Sequence, residues 1–92
     1  MYYMLLYEVV DDFINRRAPF REEHLGMVRK AHERGELFMA GALSDPVDAA
    51  ALVCKTEDRA VPERFAENDP YVREGLVKSW KVRKWNVVIG GE

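Results

Sequence analysis

Asp69-Pro70-Tyr71-Val72-Arg73-Glu74-Gly75-Leu76 is the stretch from which the rest of the chain is read. Pro70 has a ring-fixed φ and no N–H to lose, so it suits the first position of a helix. Asp69 then stands at the N-cap, its carboxylate aimed at the free amides of the next turn. Gly75 can take positive φ and close that turn before a final strand. A short capped turn therefore fixes one carboxylate just ahead of the last strand.

Downstream, Val77 to Ile89 reads as a long strand carrying Trp80 and Trp85, which face opposite sides because their separation is odd. Upstream, Thr56-Glu57-Asp58 opens a helix with Pro62 near its first turn and Val61, Phe65 and Ala66 on its buried side. Before it come two strands, Leu37 to Leu43 and Ala49 to Lys55, joined by the turn residues Ser44-Asp45-Pro46-Val47-Asp48. Gly41 marks a bulge or a close approach in the first of them. A helix starts at Pro19 and places Phe20, His24, Met27, Val28 and Ala31 at i, i+4, i+7, i+8 and i+11, one buried face. His32-Glu33-Arg34-Gly35 ends it with cationic residues and a glycine. Asp11 to Ala18 is a loop or a single loose turn. Tyr2 to Val10 is the first strand, stopped by Asp11-Asp12.

The order β-α-β-β-α-β predicts an α+β, ferredoxin-like fold: a four-stranded antiparallel sheet with both helices on one face. The first three strands are nevertheless apolar on the face that the helices leave bare, with Met4 and Leu6 opposite Tyr3, Leu5 and Tyr7 in the first. So much contiguous apolar surface is unusual for a monomer, and the economical solution is a homodimer with two sheets packed face to face.

At 92 residues the chain has room for one domain, residues 1–92, and for a core small enough that association would add useful stability. A formal net charge of −2, with Arg and Lys scattered, lacks the basic footprint of a nucleic-acid binder. Cys54 is the only cysteine, which excludes an intramolecular disulfide and a Cys-based zinc site; its apolar surroundings make it a packed core thiol. No apolar run is long enough to span a bilayer and no signal segment precedes the first strand, so the default expectation is a cytoplasmic protein without a membrane partner.

In this topology the start of the first helix, the end of the second strand and the end of the second helix meet at one rim. That brings together His24, Asp69, Ser44 and the end of the first strand at Tyr7 and Glu8. A buried imidazole needs partners, so His24 is either a satisfied core histidine or a general acid or base whose tautomer Asp69 fixes. Asp69 can cap its helix and bind an imidazole at once, because a carboxylate has lone pairs for both. Arg16, Arg17 and Arg21 cluster at the start of the helix, and one guanidinium could grip a substrate carboxylate. Tyr7 and Ser44 are hydrogen-bonding candidates. His32 reads as a partly solvated cation at a helix end. Two histidines eight apart with scattered acids offer no recognised metal spacing, and neither a phosphate loop nor a nucleophile elbow is present.

Arg21-Glu22-Glu23-His24-Leu25, Gly35-Glu36-Leu37 leading to Ala40-Gly41-Ala42-Leu43, and Asp69-Pro70-Tyr71-Val72 with Gly75 together resemble the YCII-related (YciI-like) family, in order and over almost the whole chain. The resemblance implies a dimeric α/β barrel, with His24 and Asp69 as a His–Asp active site. Relatives include a dehydrochlorinase of a chlorinated hydroxyhydroquinone and, with a similar barrel, muconolactone isomerases. They imply cofactor-free proton transfer on a small aromatic or lactone molecule, of lyase or isomerase type, with Arg21, Tyr7 and Ser44 positioning substrate. The Ser44–Asp48 connection is shorter than in many relatives. The alternatives are a non-catalytic ligand-binding or regulatory dimer using the same pocket, and an accessory protein in which the His–Asp contact only ties two helices together.

Overall fold

The computed structural model describes residues 1–91. Its elements are β1 (Tyr2–Val9), α1 (Phe13–Arg16), a 3-10 turn (Ala18–Phe20), α2 (Arg21–Glu33), β2 (Leu37–Ala42), β3 (Ala49–Lys55), α3 (Ala60–Asn68), α4 (Pro70–Arg73) and β4 (Val77–Trp85). The strands form one four-stranded antiparallel sheet in the order β2-β3-β1-β4. This is the α+β, ferredoxin-like arrangement that the order of elements predicts.

β1 is central because it can be buried along its length. Leu5 lies opposite Leu52 of β3 on one side and Val82 of β4 on the other. Tyr3, Leu5, Tyr7 and Val9 turn to the helix side and join Ala31, Ala66, Tyr71, Leu76 and Val82 in the core. Trp80, opposite Tyr7, packs against this core, whereas Trp85, opposite Tyr2, remains exposed. The two tryptophans do face opposite sides. The outer sheet face carries Met4 and Leu6, half-buried, and Met39, exposed. On β4, however, Arg83 and Lys81 lie opposite Met4 and Leu6, so the apolar surface is confined to β1, β2 and β3.

Three local expectations change. β4 ends at Trp85 rather than Ile89, because Trp85 pairs with Tyr2, where β1 begins, and no neighbouring strand continues the ladder. The second helix begins at Ala60: Thr56-Glu57-Asp58 is a lead-in turn, with the Ala60 amide donating to Asp58 Oδ1 at 2.9 Å. The irregularity in β2 falls between Leu37 and Met39, and Gly41 meets no close neighbour. His32 is exposed at the end of α2, and its Nδ1–H donates to the Leu37 carbonyl at 2.8 Å, tying the helix to β2. Among the described residues no helix is long and apolar enough to cross a membrane.

Candidate functional site

Asp69 ends α3 in an extended conformation (φ −71°, ψ 124°) and caps α4, where Oδ1 accepts from the Tyr71 amide at 3.0 Å. Gly75, at φ +78°, then lets the chain reverse into β4. The cap carboxylate is completely buried. A buried charge is costly unless satisfied, and this one has two further donors: the Tyr7 hydroxyl to Oδ2 at 2.8 Å and the His24 ring through Nδ1 to Oδ1 at 2.9 Å. Three segments far apart in sequence, β1, α2 and the α3–α4 junction, thus converge on one residue.

As a carboxylate, Asp69 can only accept, so Nδ1 of a neutral His24 carries the hydrogen and Nε2 holds the lone pair. The ring is clamped. Tyr71 stacks on it at 3.9 Å between centroids with an interplanar angle of 12°, and Phe65 meets it edge-on at 6.5 Å. Phe13 of α1 braces Tyr71 in turn, edge-on at 5.4 Å. Outside the pair, Arg73 donates to Glu23 at 2.6 Å and links α4 to α2. The Tyr7 hydroxyl titrates well above the usual phenol range, chiefly through burial and then through the charge of Asp69 and the bond to it. It therefore stays protonated and keeps donating. The Tyr71 hydroxyl is buried and, among the described residues, has no hydrogen-bond partner.

His24 retains 14% side-chain exposure, and it lines a cavity of about 160 Å³ together with Tyr7, Tyr71, Arg17, Arg21 and the small residues Ala40, Gly41 and Ala42 of β2. The small β2 side chains leave the space, and two guanidiniums give it positive charge. Arg17 is held over the Phe13 ring at 5.4 Å. The hollow thus offers a proton acceptor, a stacked phenol and cations at one apolar wall. Among the described residues no group of three or more His, Cys, Asp or Glu side chains could hold a metal ion.

Of the residues singled out in the sequence, Tyr7, Arg21 and His24 line this cavity, and Asp69 stands directly behind His24. Ser44 does not line it. β2 stops at Ala42, and Ser44 lies exposed in the connection beyond. Glu8 faces away and approaches Lys78 at 3.6 Å. Tyr71 and Phe13 were not anticipated as site residues. The signal for Tyr71 lay in the cap motif itself, two positions after the carboxylate.

This frame, in sequence order and in space, is matched by one family: the YCII-related domain aligns with residues 1–86. The chain belongs to the YCII-related family. No curated protein matches it. Among solved structures, it is similar to the 5-chloro-2-hydroxyhydroquinone dehydrochlorinase TftG of Burkholderia phenoliruptrix AC1100, seen in complex with 2,5-dihydroxybenzoquinone. The TM-score is 0.79 and the identity 17%, over 94% of each chain. A NIPSNAP-family protein of Agrobacterium tumefaciens (Atu5224) matches with a TM-score of 0.57 and 15% identity, over 89% of this chain and 87% of that one. A NIPSNAP-domain protein of Burkholderia xenovorans scores 0.58 at 12% identity, over 99% and 98%. At such identities the likeness is one of fold, the subunit fold of the dimeric α/β barrel proteins.

Proposed function

We propose that this YCII-related protein is a cofactor-free acid/base enzyme acting on a small hydroxyaromatic molecule, with His24 as the proton-transferring residue. The observation that carries the reading is the Tyr7–Asp69–His24 chain of hydrogen bonds, which ends beside the cavity at an Nε2 with no hydrogen-bond partner among the described residues. Asp69 sets the tautomer and stabilises the imidazolium, and Tyr7 holds Asp69 in place. A cavity of about 150 Å³ holds one benzene ring, so the space of about 160 Å³ fits a single six-membered ring. Arg17 and Arg21 would take its phenolate or carboxylate oxygen.

For a chlorinated hydroxyhydroquinone, suggested by the TftG likeness, Nε2 would take a ring hydroxyl proton and return it to the carbon bearing chlorine. Nε2, free again, then takes the proton of the hydroxyl para to the new carbonyl, and the resulting enolate expels chloride. Net loss of HCl leaves a hydroxyquinone: the ring is oxidised as the C–Cl bond is reduced to chloride, so no external oxidant is needed.

The test is chloride release from 5-chloro-2-hydroxyhydroquinone and related halogenated hydroxyaromatics by the native protein, His24→Ala and Asp69→Asn. Turnover should fall by roughly 10²–10⁴-fold in His24→Ala, the usual weight of one positioned acid or base. Equal turnover in native protein and His24→Ala would remove His24 from the mechanism. Saturable binding of 2,5-dihydroxybenzoquinone with no turnover by any variant would make the site a ligand-binding one.

A further inference from the structure

A second and larger hollow lies between the C-terminal half of α2 and α3, and shares no lining residue with the His24 cavity. Its volume, about 410 Å³, falls within the range of about 300–1,000 Å³ common for small-molecule sites. Ala31, Leu37 and Cys54, all buried, line its depth, with Met27, Val61 and Phe65 around them. Burial, and then the charge of Glu36, push the Cys54 thiol up to about 11, so this surface is neutral and apolar. The exposed residues at the same hollow include Lys30, Arg34 and Arg64 against a single acid, Glu36. Arg34 donates to Glu36 at 2.8 Å, whereas Lys30 and Arg64 make no ion pair among the described residues. In a chain of net charge −2, an apolar hollow bordered by two unpaired cations is a local reversal of sign.

We propose that this hollow is a binding site for a small amphiphilic monoanion, an alkyl or aryl carboxylate. Its apolar body would rest on Leu37, Cys54 and Phe65, with its head at Lys30 and Arg64. The chemistry selects this class. An inorganic anion would leave the apolar wall unused, a cation would meet like charges, and a neutral hydrocarbon would gain nothing from the two unpaired cations. The site does not rest on the acid/base reading of His24, because the two cavities share no lining residue, although Phe65 also meets the His24 ring edge-on.

The experiment is a titration of the ¹⁵N-labelled protein with octanoate and, in parallel, with octanol. Octanoate should give saturable amide shifts centred on Leu37, Arg64 and Phe65, and bind roughly tenfold more tightly than octanol, a difference of about 1.4 kcal/mol. Arg64→Glu should weaken octanoate by about the same factor, while Arg64→Lys preserves most of the affinity. Lys30→Glu provides a second charge reversal, and the amide spectrum of each variant reports whether it is folded. His24→Ala should bind octanoate like the native protein, so failure of the proposed enzymatic activity would leave this result intact. Equal affinity for octanoate and octanol, affinity indifferent to both charge reversals, or shifts centred on the outer sheet face would each overturn the proposal.

Discussion

Asp69 has no route to water, so each of its donors matters more than an exposed partner would. Tyr7→Phe removes the donor to Oδ2 while keeping the ring in the core, and leaves that oxygen without a partner. The expected loss is about 1–3 kcal/mol of stability, the usual cost of an unsatisfied buried group, visible as a lower urea midpoint at unchanged slope. Titration has a definite sign as well. Cys54 holds its proton up to about 11 when folded, against an ordinary 9.0, and Tyr7 shifts in the same direction. The folded chain therefore binds more protons than the unfolded one at alkaline pH, so stability falls as pH rises. Below 9.0 the Cys54 contribution is whole, and it is lost as pH rises towards about 11, at up to about 1.4 kcal/mol per pH unit. Urea titrations across that window should show a shallower decline for Cys54→Ala than for the native protein; equal slopes would contradict the assignment. Both partners of the central pair were legible in the sequence, His24 from helical spacing and Asp69 from the proline that follows it. Tyr7 was placed on the right face by period-two alternation, but alternation cannot tell which phenol on that face meets the carboxylate. Ser44 was misplaced for a related reason: the end of a strand fixes where the chain turns, not where the side chains beyond it go.

Among the elements, the capped turn α4 positions the site at small cost in residues. Pro70 presets its first φ, Asp69 bonds the Tyr71 amide, and Gly75 turns the chain at φ +78°. A Cβ added at Gly75 would meet nothing within 4 Å, so Gly75→Ala tests backbone conformation alone. It should cost about 1–2 kcal/mol, the penalty of left-handed backbone for an L-residue. Gly41→Ala in β2, also with nothing within 4 Å but without positive φ, is the control. It should be close to neutral, and equal losses at the two positions would refute the conformational argument. The motif and its two flanking elements were readable because Pro, Asp and Gly each act through local geometry. The ends of β4 and the start of α3 were less so, because partners set them. Val87, Val88 and Ile89 have strand-like side chains, yet the ladder with β1 ends at the pair Tyr2–Trp85.

For the molecule as a whole, the sheet divides the labour between two faces. The helix side holds His24, Asp69 and both cavities, and the other side presents Met4, Leu6 and Met39 beside Lys81 and Arg83. Met39 is 59% exposed and Leu43 55%, positions at which an isolated subunit gains nothing from a large apolar side chain. Two copies related by a two-fold axis would cover this surface with itself, since such an interface is self-complementary. A stable association needs about 800 Å² buried per partner. Lys81 and Arg83 on β4 oppose a packing in which the β4 edges stack on each other, because like charges would be buried together. The apolar β2–β3–β1 portion should therefore form the centre of the interface. Sedimentation at tens of micromolar should give the mass of a dimer for the native chain, and a monomer for Leu6→Glu, whose charge would enter that centre without a partner. Lys81→Glu, towards the edge, should remain dimeric. A native chain that sediments as a monomer, or a Leu6→Glu variant that stays dimeric, would place the contact elsewhere. The His24–Asp69 bond lies within one subunit, so monomeric Leu6→Glu should keep the His24 Nδ1–H resonance of the native protein. That outcome would separate assembly of the dimer from assembly of the site.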